Sequence, residues 1–279
     1  MITEMIDIQS QQDNREVPLK KVGIKGMHYP IQVLDKVHKI QKTSCVVDLF
    51  VNLPQHFKGT HMSRFVEIFH KYHTDLTMPR FLALLEEIRV KLEAEEAFGT
   101  ITFPFFLEKQ APVSGQAGMM SYECSYEGHV SCRNKSHFFV TISVPVTTLC
   151  PCSKAISSFG AHNQRGKVNV KVESNGFFWI EDIIALVEES ASCGLYSVLK
   201  REDEKFVTEK AYNNPRFVED VVREVCVALQ HYSRGDKGFT WFSVEAENFE
   251  SIHNPNAYAY TEFSKEGELT GNPIKDASC

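Results

Sequence analysis

The residues best suited to chemistry lie in one short stretch that opens with two cysteines. Cys150-Pro-Cys152 ends an apolar alternating segment and is followed by Lys154, His162 and Arg165. The alternation predicts a buried strand, and strand ends are where a rigid scaffold presents reactive groups. Thiols beside cations titrate low enough to bind a metal or to attack carbon. The alternative is burial of both cysteines as small hydrophobes, which is common for free thiols.

The spacing of the two cysteines limits what they can do by themselves. On an extended backbone, residues two apart point to one face, and Pro151 would stiffen that arrangement. The spacing matches neither a C-x-x-C redox pair nor half of a zinc ribbon. Alone, it is a weak indication of a metal site.

A carboxylate and an imidazole lie three residues apart in Glu250-Ser-Ile-His253, just after a predicted strand. Taken alone, such a pair is more often surface chemistry than a pair of ligands. If it meets Cys150, however, thiolate, imidazole and carboxylate would form a mixed site for a borderline divalent metal. Three protein ligands and a water would make that site catalytic in type.

Two other polar segments are candidates for binding a substrate. Glu219 lies beside the apolar stripe of a predicted helix, where a carboxylate could accept two N–H donors from a planar base. The cluster that contains His61 and Arg64 lies at a predicted strand-to-helix junction. With Lys154, Arg165 and Lys167 it could supply cations for a polyphosphate. Taken singly, each cation is better explained as ordinary surface charge.

The strands and helices that must position these residues are predicted to occur in a similar order in the two halves of the chain. Periodicity and cap signals predict strands at 43–53, 100–112, 119–131, 137–149, 167–173, 239–248 and 257–263, and helices at 61–73, 78–92, 178–192 and 215–232. The charged run 200–214 is expected to connect two helices as a solvated loop, and Pro215 to start the next helix. This pattern is α+β with antiparallel strands. No glycine-rich phosphate loop is present in the sequence.

Composition excludes several broad classes. The chain has 279 residues, 43% of them hydrophobic and 24% charged, with a net charge of −6. These values are typical of a soluble globular protein and argue against a general nucleic-acid or anionic-membrane binder. No apolar run is long enough to span a membrane, and no signal peptide is recognisable. Eight scattered cysteines without an export signal indicate reduced thiols in the cytoplasm.

Several motifs together resemble the type IB GTP cyclohydrolase I family. They are Val144–Lys154, Gly160–Arg165, Lys200–Glu204, Phe217–Asp220, Glu247–Asn254 and Gly59–Arg64. The resemblance implies a tunnelling fold (T-fold) of two tandem modules, each an antiparallel sheet with helices. The polar residues 1–18 are expected to be a flexible segment, and the two halves of the chain give modules at 19–135 and 136–279. The resemblance also implies a homotetramer with active sites at module or subunit interfaces, and GTP as substrate.

The same resemblance implies roles for individual residues. It makes Cys150, Glu204, Glu250 and His253 the ligands of a divalent metal, which could be zinc, manganese or iron. Cys152 and His162 are implied as catalytic, His162 as a proton donor or acceptor because imidazole titrates near neutrality. Glu219 is implied to hold the guanine edge of the substrate. Residues His61, Arg64, Lys154 and Arg165 complete the expected substrate site.

The implied reaction converts GTP and water to 7,8-dihydroneopterin triphosphate and formate, the first step of tetrahydrofolate biosynthesis. A metal-bound water of lowered pKa would attack C8 of the purine. Two alternatives remain at this stage. One is another tunnelling-fold enzyme, such as a queuosine-pathway nitrile reductase with a nucleophilic thiol and NADPH. The other is a non-catalytic binding protein that holds a structural metal.

Overall fold

The computed structural model describes residues 14–55, 57–133, 135–174, 176–232 and 238–265. Within these ranges the strands are β1 (Leu19–Asp35), β2 (Lys39–Leu53), β3 (Glu96–Gln110), β4 (Ala117–Ser131), β5 (Ser136–Leu149), β6 (Asn163–Ser174), β7 (Cys193–Gly194), β8 (Phe239–Asn248) and β9 (Ala257–Ser264). The helices are α1 (Met62–Tyr72), α2 (Met78–Lys91), α3 (Pro151–Ile156), α4 (Ile180–Ser190), α5 (Arg201–Asn213) and α6 (Val218–His231).

The chain divides into two compact units. The first runs to Phe103 and includes Ser125–Phe139, and the second contains Pro104–Cys124 and the chain from Val140 onward. Strands β3, β4 and β5 therefore contribute one part to each unit. The sequence-based modules 19–135 and 136–279 divide the chain at a single point and remain a prediction.

In the first unit, α1 and α2 cover one face of the strands. Phe65, Phe69, Phe81 and Leu85 are fully buried on these helices. The spacing of four residues within each pair gives each helix one apolar stripe, which must be buried against a sheet. Gly99 lies directly beneath α2, since a Cβ at this position would lie 2.7 Å from Leu85 Cδ2. Small residues on the strands thus allow close helix packing.

In the second unit, the pairing of strands brings distant segments of the chain together. Strands β6 and β8 pair antiparallel from Gly166 opposite Asn248 to Ser174 opposite Phe239, and β9 pairs with the other edge of β8. Helix α6 buries the stripe Val218, Val221, Val222, Val225 and Leu229. Because the register places Gly166 opposite Asn248, the residues just before β6 lie beside those just after β8.

Most predicted elements are confirmed, including helices α1, α2, α4 and α6 and the α+β class. Three expectations were wrong. The charged run after Lys200 is helix α5, the cysteine turn contains the short helix α3, and α6 begins at Val218 rather than Pro215. The long first strand, β1, was not predicted. Among the residues described above, no helix is long and apolar enough to cross a membrane.

Candidate active site

The two cysteines lie at the junction of β5 and α3. Cys150 is the residue before the helix, with φ −69° and ψ 117°, and its sulfur accepts the N–H of Ser153 at 3.5 Å. Pro151 suits the first helical position because its φ is already helical and its missing N–H is not needed there. Cys152 consequently lies in the first turn of α3 and is exposed, whereas Cys150 is half-buried. The expectation that both share one extended face was wrong.

His162 is fastened to the cysteine turn through its backbone. Its N–H donates to Ser153 Oγ at 3.1 Å, and its carbonyl accepts the N–H of Cys150, also at 3.1 Å. Ser153 Oγ in turn donates to the carbonyl of Cys150 at 3.1 Å. The turn and the histidine backbone therefore form one hydrogen-bonded unit. The backbones of Cys150 and His162 are thus held together although twelve positions separate them in sequence.

The segment after β8 reaches the same place. The N–H of Phe249 donates to the carbonyl of Arg165 at 2.8 Å. Ser251 Oγ lies 3.4 Å from Nδ1 of His162, so the loop that carries Glu250 and His253 passes beside the imidazole. Glu250 is half-buried and His253 is exposed.

The connection between α5 and α6 also approaches the turn. The N–H of Arg216 donates to the carbonyl of Leu149, the residue before Cys150, at 3.0 Å. Lys154 Nζ donates to the carbonyl of Tyr212 and lies 4.3 Å from the centre of that ring. Glu219 follows Arg216 in the first turn of α6 and is exposed. The arrangement leaves its carboxylate available to a ligand.

The predicted metal ligands do not form one complete cluster in the described residues. In the described part of the chain, no three His, Cys, Asp or Glu side chains form a group that could hold a metal ion. Cys150 contacts the backbone of His162, and Ser251, in the loop of Glu250 and His253, lies beside its ring, while Glu204 is exposed in the first turn of α5. The sulfur of Cys150 already accepts an N–H, as a ligand oriented by its surroundings does. The ligand set remains a prediction.

The predicted cations lie in both units. Arg165 is exposed and, with Lys167 and Phe249, lines a cavity of about 240 Å³ in the second unit. Lys167 also pairs with Glu123 at 3.7 Å. His61 and Arg64 belong to the first unit, where Arg64 Nη1 donates to the carbonyl of Lys91 at 3.2 Å. Their role in binding a polyphosphate remains a prediction.

Sequence reasoning missed the residues that support this site. Gln164 Oε1 lies 3.0 Å from Nδ1 of His162, and its Nε2 donates to Thr148 Oγ1 at 2.8 Å. Asp203, next to the predicted ligand Glu204, is fully buried. A usable signal existed for Gln164, because residues two apart on extended backbone share a face. For Asp203 the signal was an acid three residues after the helix boundary, where a side chain can reach back to a free N–H.

Burial raises the pKa of Asp203, but hydrogen bonds outweigh it and hold the pKa well below the usual range. The donors are the hydroxyl and N–H of Ser114 and the N–H groups of Lys200 and Val113. A carboxylate that accepts several N–H groups is stabilised in its charged form. Asp203 is therefore a structural anion that ties the start of α5 to the turn between β3 and β4.

Comparison with known sequences connects these features to one family. A family profile described as "Type I GTP cyclohydrolase folE2" matches residues 5–259. A protein of Syntrophus aciditrophicus named GTP cyclohydrolase FolE2 is 55% identical over 258 residues, covering 92% of this chain and 99% of its own length. The similarly named protein of Geotalea uraniireducens is 49% identical over 276 residues, covering 99% of this chain and all of its own.

Comparison with solved structures gives the fold alone. The uricase of Arthrobacter globiformis superposes with a TM-score of 0.55 at 8% identity, covering 92% of this chain and 97% of its own. Urate oxidase from Bacillus sp. TB-90 gives 0.53 at 8% identity, with 88% of this chain and all of its own covered. The chain has the α+β tunnelling fold that the sequence predicted.

Proposed function

The chain belongs to the type I GTP cyclohydrolase FolE2 family, and we propose that it converts GTP and water to 7,8-dihydroneopterin triphosphate and formate. The match over residues 5–259, with relatives at about half identity over nearly their whole length, carries this proposal. The narrower type IB label, and the place of the reaction at the start of tetrahydrofolate biosynthesis, are parts of the same proposal.

His162 is the residue we assign to proton transfer. Ring opening and loss of formate require protons to be delivered to and taken from purine nitrogens, and imidazole can do both near neutral pH. The backbone of His162 is fastened to the Cys150 turn, and its ring lies beside Ser251. A histidine held through its backbone and at Nδ1 keeps its other ring nitrogen in a constant position, which is what proton transfer requires.

Glu219 and the cations of the second unit would hold the two ends of the substrate. An exposed carboxylate in the first turn of α6 can accept N1–H and the 2-amino group of guanine. Lys154 and Arg165 flank the cysteine turn and would offset the triphosphate charge, with His61 and Arg64 of the first unit added to this set. Cys152, exposed beside Cys150, would face the substrate.

We further propose that Cys150, Glu204, Glu250 and His253 hold a divalent ion, either zinc, manganese or iron. When bound, the ion would supply a water of lowered pKa for attack on the purine. A donor set of thiolate, imidazole and carboxylate suits all three metals. The described residues of one chain form no group of three such side chains, so this ligand set rests on the family resemblance and the donor chemistry.

We place the enzyme in the cytoplasm, where GTP is found and thiols stay reduced. All seven cysteines of the described ranges are free. GTP is the small-molecule partner, and a chain with a net charge of −6 is not expected to bind nucleic acid or an anionic membrane.

Metal removal tests the proposed function. The purified protein is treated with chelator, reloaded with zinc or manganese, and supplied with GTP while pterin fluorescence and formate are followed. We expect turnover to be lost with the metal and recovered on reloading, and Cys150→Ala to lose both metal and turnover. Full turnover after complete metal removal would contradict the metal assignment. Absence of pterin from GTP under every metal would contradict the activity itself.

A further inference from the structure

A buried amide connects His162 to the core of the second unit. Gln164 is 8% exposed and Thr148 is fully buried. Gln164 Nε2 donates to Thr148 Oγ1 at 2.8 Å, and its Oε1 lies 3.0 Å from Nδ1 of His162. Since Thr148 lies on β5 and Gln164 on β6, the amide is anchored to paired strands and not to a loop.

We propose that Gln164 is a positioning residue that holds the neutral ring of His162 with its hydrogen on Nδ1, leaving Nε2 as the free base. The inference rests on the proposed function, because it concerns the group assigned there to proton transfer. It adds a residue that determines which ring nitrogen can exchange a proton with the substrate.

The direction of the amide decides the tautomer. One end of a glutamine side chain only donates hydrogen bonds and the other only accepts them. With Nε2 turned toward Thr148, the end that faces the imidazole is the acceptor Oε1. The contact at 3.0 Å is attractive only if Nδ1 carries the hydrogen. The second ring nitrogen then keeps its lone pair, as a proton acceptor must.

Ser251, the other neighbour of Nδ1, does not determine the tautomer of His162. Ser251 Oγ lies farther away, at 3.4 Å, and a hydroxyl can donate or accept. Ser251 is also exposed, whereas the amide of Gln164 is buried. A buried amide loses more when either of its ends is left unpaired, so Gln164 sets the tautomer.

The test reads the tautomer directly. Histidine is labelled with ¹⁵N in the full-length, metal-loaded protein without GTP, and two-dimensional ¹H–¹⁵N correlations identify the protonated ring nitrogen of His162. We expect Nδ1–H in the unaltered protein and in Gln164→Glu, which keeps the acceptor. Gln164→Met has a similar length but no acceptor, and we expect it to shift the ring toward Nε2–H.

We expect the kcat of each variant to change together with the tautomer of His162. We expect kcat of Gln164→Met to fall by about tenfold or more, as for a misoriented general acid–base group. KM for GTP should stay within about twofold, because a side chain that is 8% exposed is not expected to contact the substrate. Thr148→Val, which releases the far end of the amide, should give a smaller change in the same direction. Thr147→Val is the matched control, since its hydroxyl donates only to the backbone carbonyl of Gln164, at 3.2 Å.

Each outcome either supports or overturns the inference. An Nε2–H spectrum in the unaltered protein would overturn it, as would Nδ1–H retained in both Gln164→Met and Thr148→Val. If Gln164→Met does not fold, the unaltered protein and Thr148→Val decide the question. The spectrum requires no turnover, so failure of the unaltered protein to convert GTP would count against the proposed function and not against the tautomer assignment.

Discussion

At the scale of single residues, neighbours in sequence differ in burial and in hydrogen bonding at this site. Cys150 is half-buried with its sulfur facing an N–H, whereas Cys152 is exposed in the first turn of α3. Asp203 and Glu204 differ in the same way, since the first is buried and fully hydrogen-bonded and the second is exposed. The direction of each side chain separates a structural group from one that is available to a ligand.

Glu219 gives the residue-scale test of substrate recognition. Replacing the carboxylate by an amide in Glu219→Gln removes one of two acceptors and the charge that strengthens both hydrogen bonds. We expect KM for GTP to rise by about 10- to 100-fold, in line with ~1.5–3 kcal/mol for hydrogen bonds to a charged group. Metal content, measured by mass spectrometry, should not change. Loss of metal would contradict the assigned role, and the exposed Glu209→Gln on α5 is the control.

At the scale of elements, α5 is held in place by a buried carboxylate. Asp203 Oδ1 accepts the N–H groups of Val113 and Ser114, both at 2.9 Å, and Oδ2 accepts the N–H of Lys200 at 2.8 Å. One side chain thus closes the first turn of the helix and binds a turn about ninety positions earlier in the chain. The helix that carries Glu204 is positioned by this contact.

Asp203→Asn should therefore destabilise the protein in a pH-dependent way. The pKa is lowered in the folded protein, so the stabilisation is fully present above the value of about 3.9 for an unfolded aspartate. It decreases as the pH falls below that value toward the lower folded pKa. We expect the variant to have a lower Tm at neutral pH, with a difference that shrinks in acid. Calorimetry across this range measures it.

The control for Asp203→Asn is Glu202→Gln, which removes the same charge from an exposed position in the same helical turn. Its Tm should stay close to that of the unaltered protein. A difference for Asp203→Asn that does not vary between neutral and acidic pH would show that the carboxylate is not the stabilising group.

At the scale of the whole molecule, exposed apolar side chains lie on the segments that carry the candidate site. Phe159 is fully exposed, Ile156 is 85% exposed and Ile252 is 63% exposed. Exposed apolar patches commonly mark an interface with another protein. In the proposed homotetramer, this surface would be covered by a second copy of the chain.

Light scattering tests that assembly. We expect the unaltered protein to have four times the mass of one chain, and the double variant Ile156→Asp with Phe159→Asp to dissociate, because charged groups are costly to bury at an interface. Val90→Asp changes an exposed apolar residue of α2 and serves as the control. A monomeric unaltered protein would contradict the tetramer, and an unchanged mass for the double variant would exclude this surface.

Much of the fold and part of the site could be predicted from the sequence, because those features are local. Apolar alternation and helical stripes depend on neighbours a few positions away, so strands β2 to β6, β8 and β9 and helices α1, α2, α4 and α6 were predicted. Helix α5 was not, because its charged sequence lacks a long apolar stripe and its start depends on Asp203 and a turn far away in the chain. The short helix α3 was not predicted, because residues 150–152 were expected to have an extended backbone.

By itself, the sequence determined the α+β class, the order of most elements and the family motifs, including Cys150, His162 and Glu250. Only the tertiary structure decided which groups meet. His162 and Ser251 are 89 positions apart, and Gln164 and Thr148 are 16 apart. Such contacts depend on strand register and burial, which no local pattern encodes. The physical reason is that a buried polar group takes whatever partner the packed sheet places within hydrogen-bonding distance.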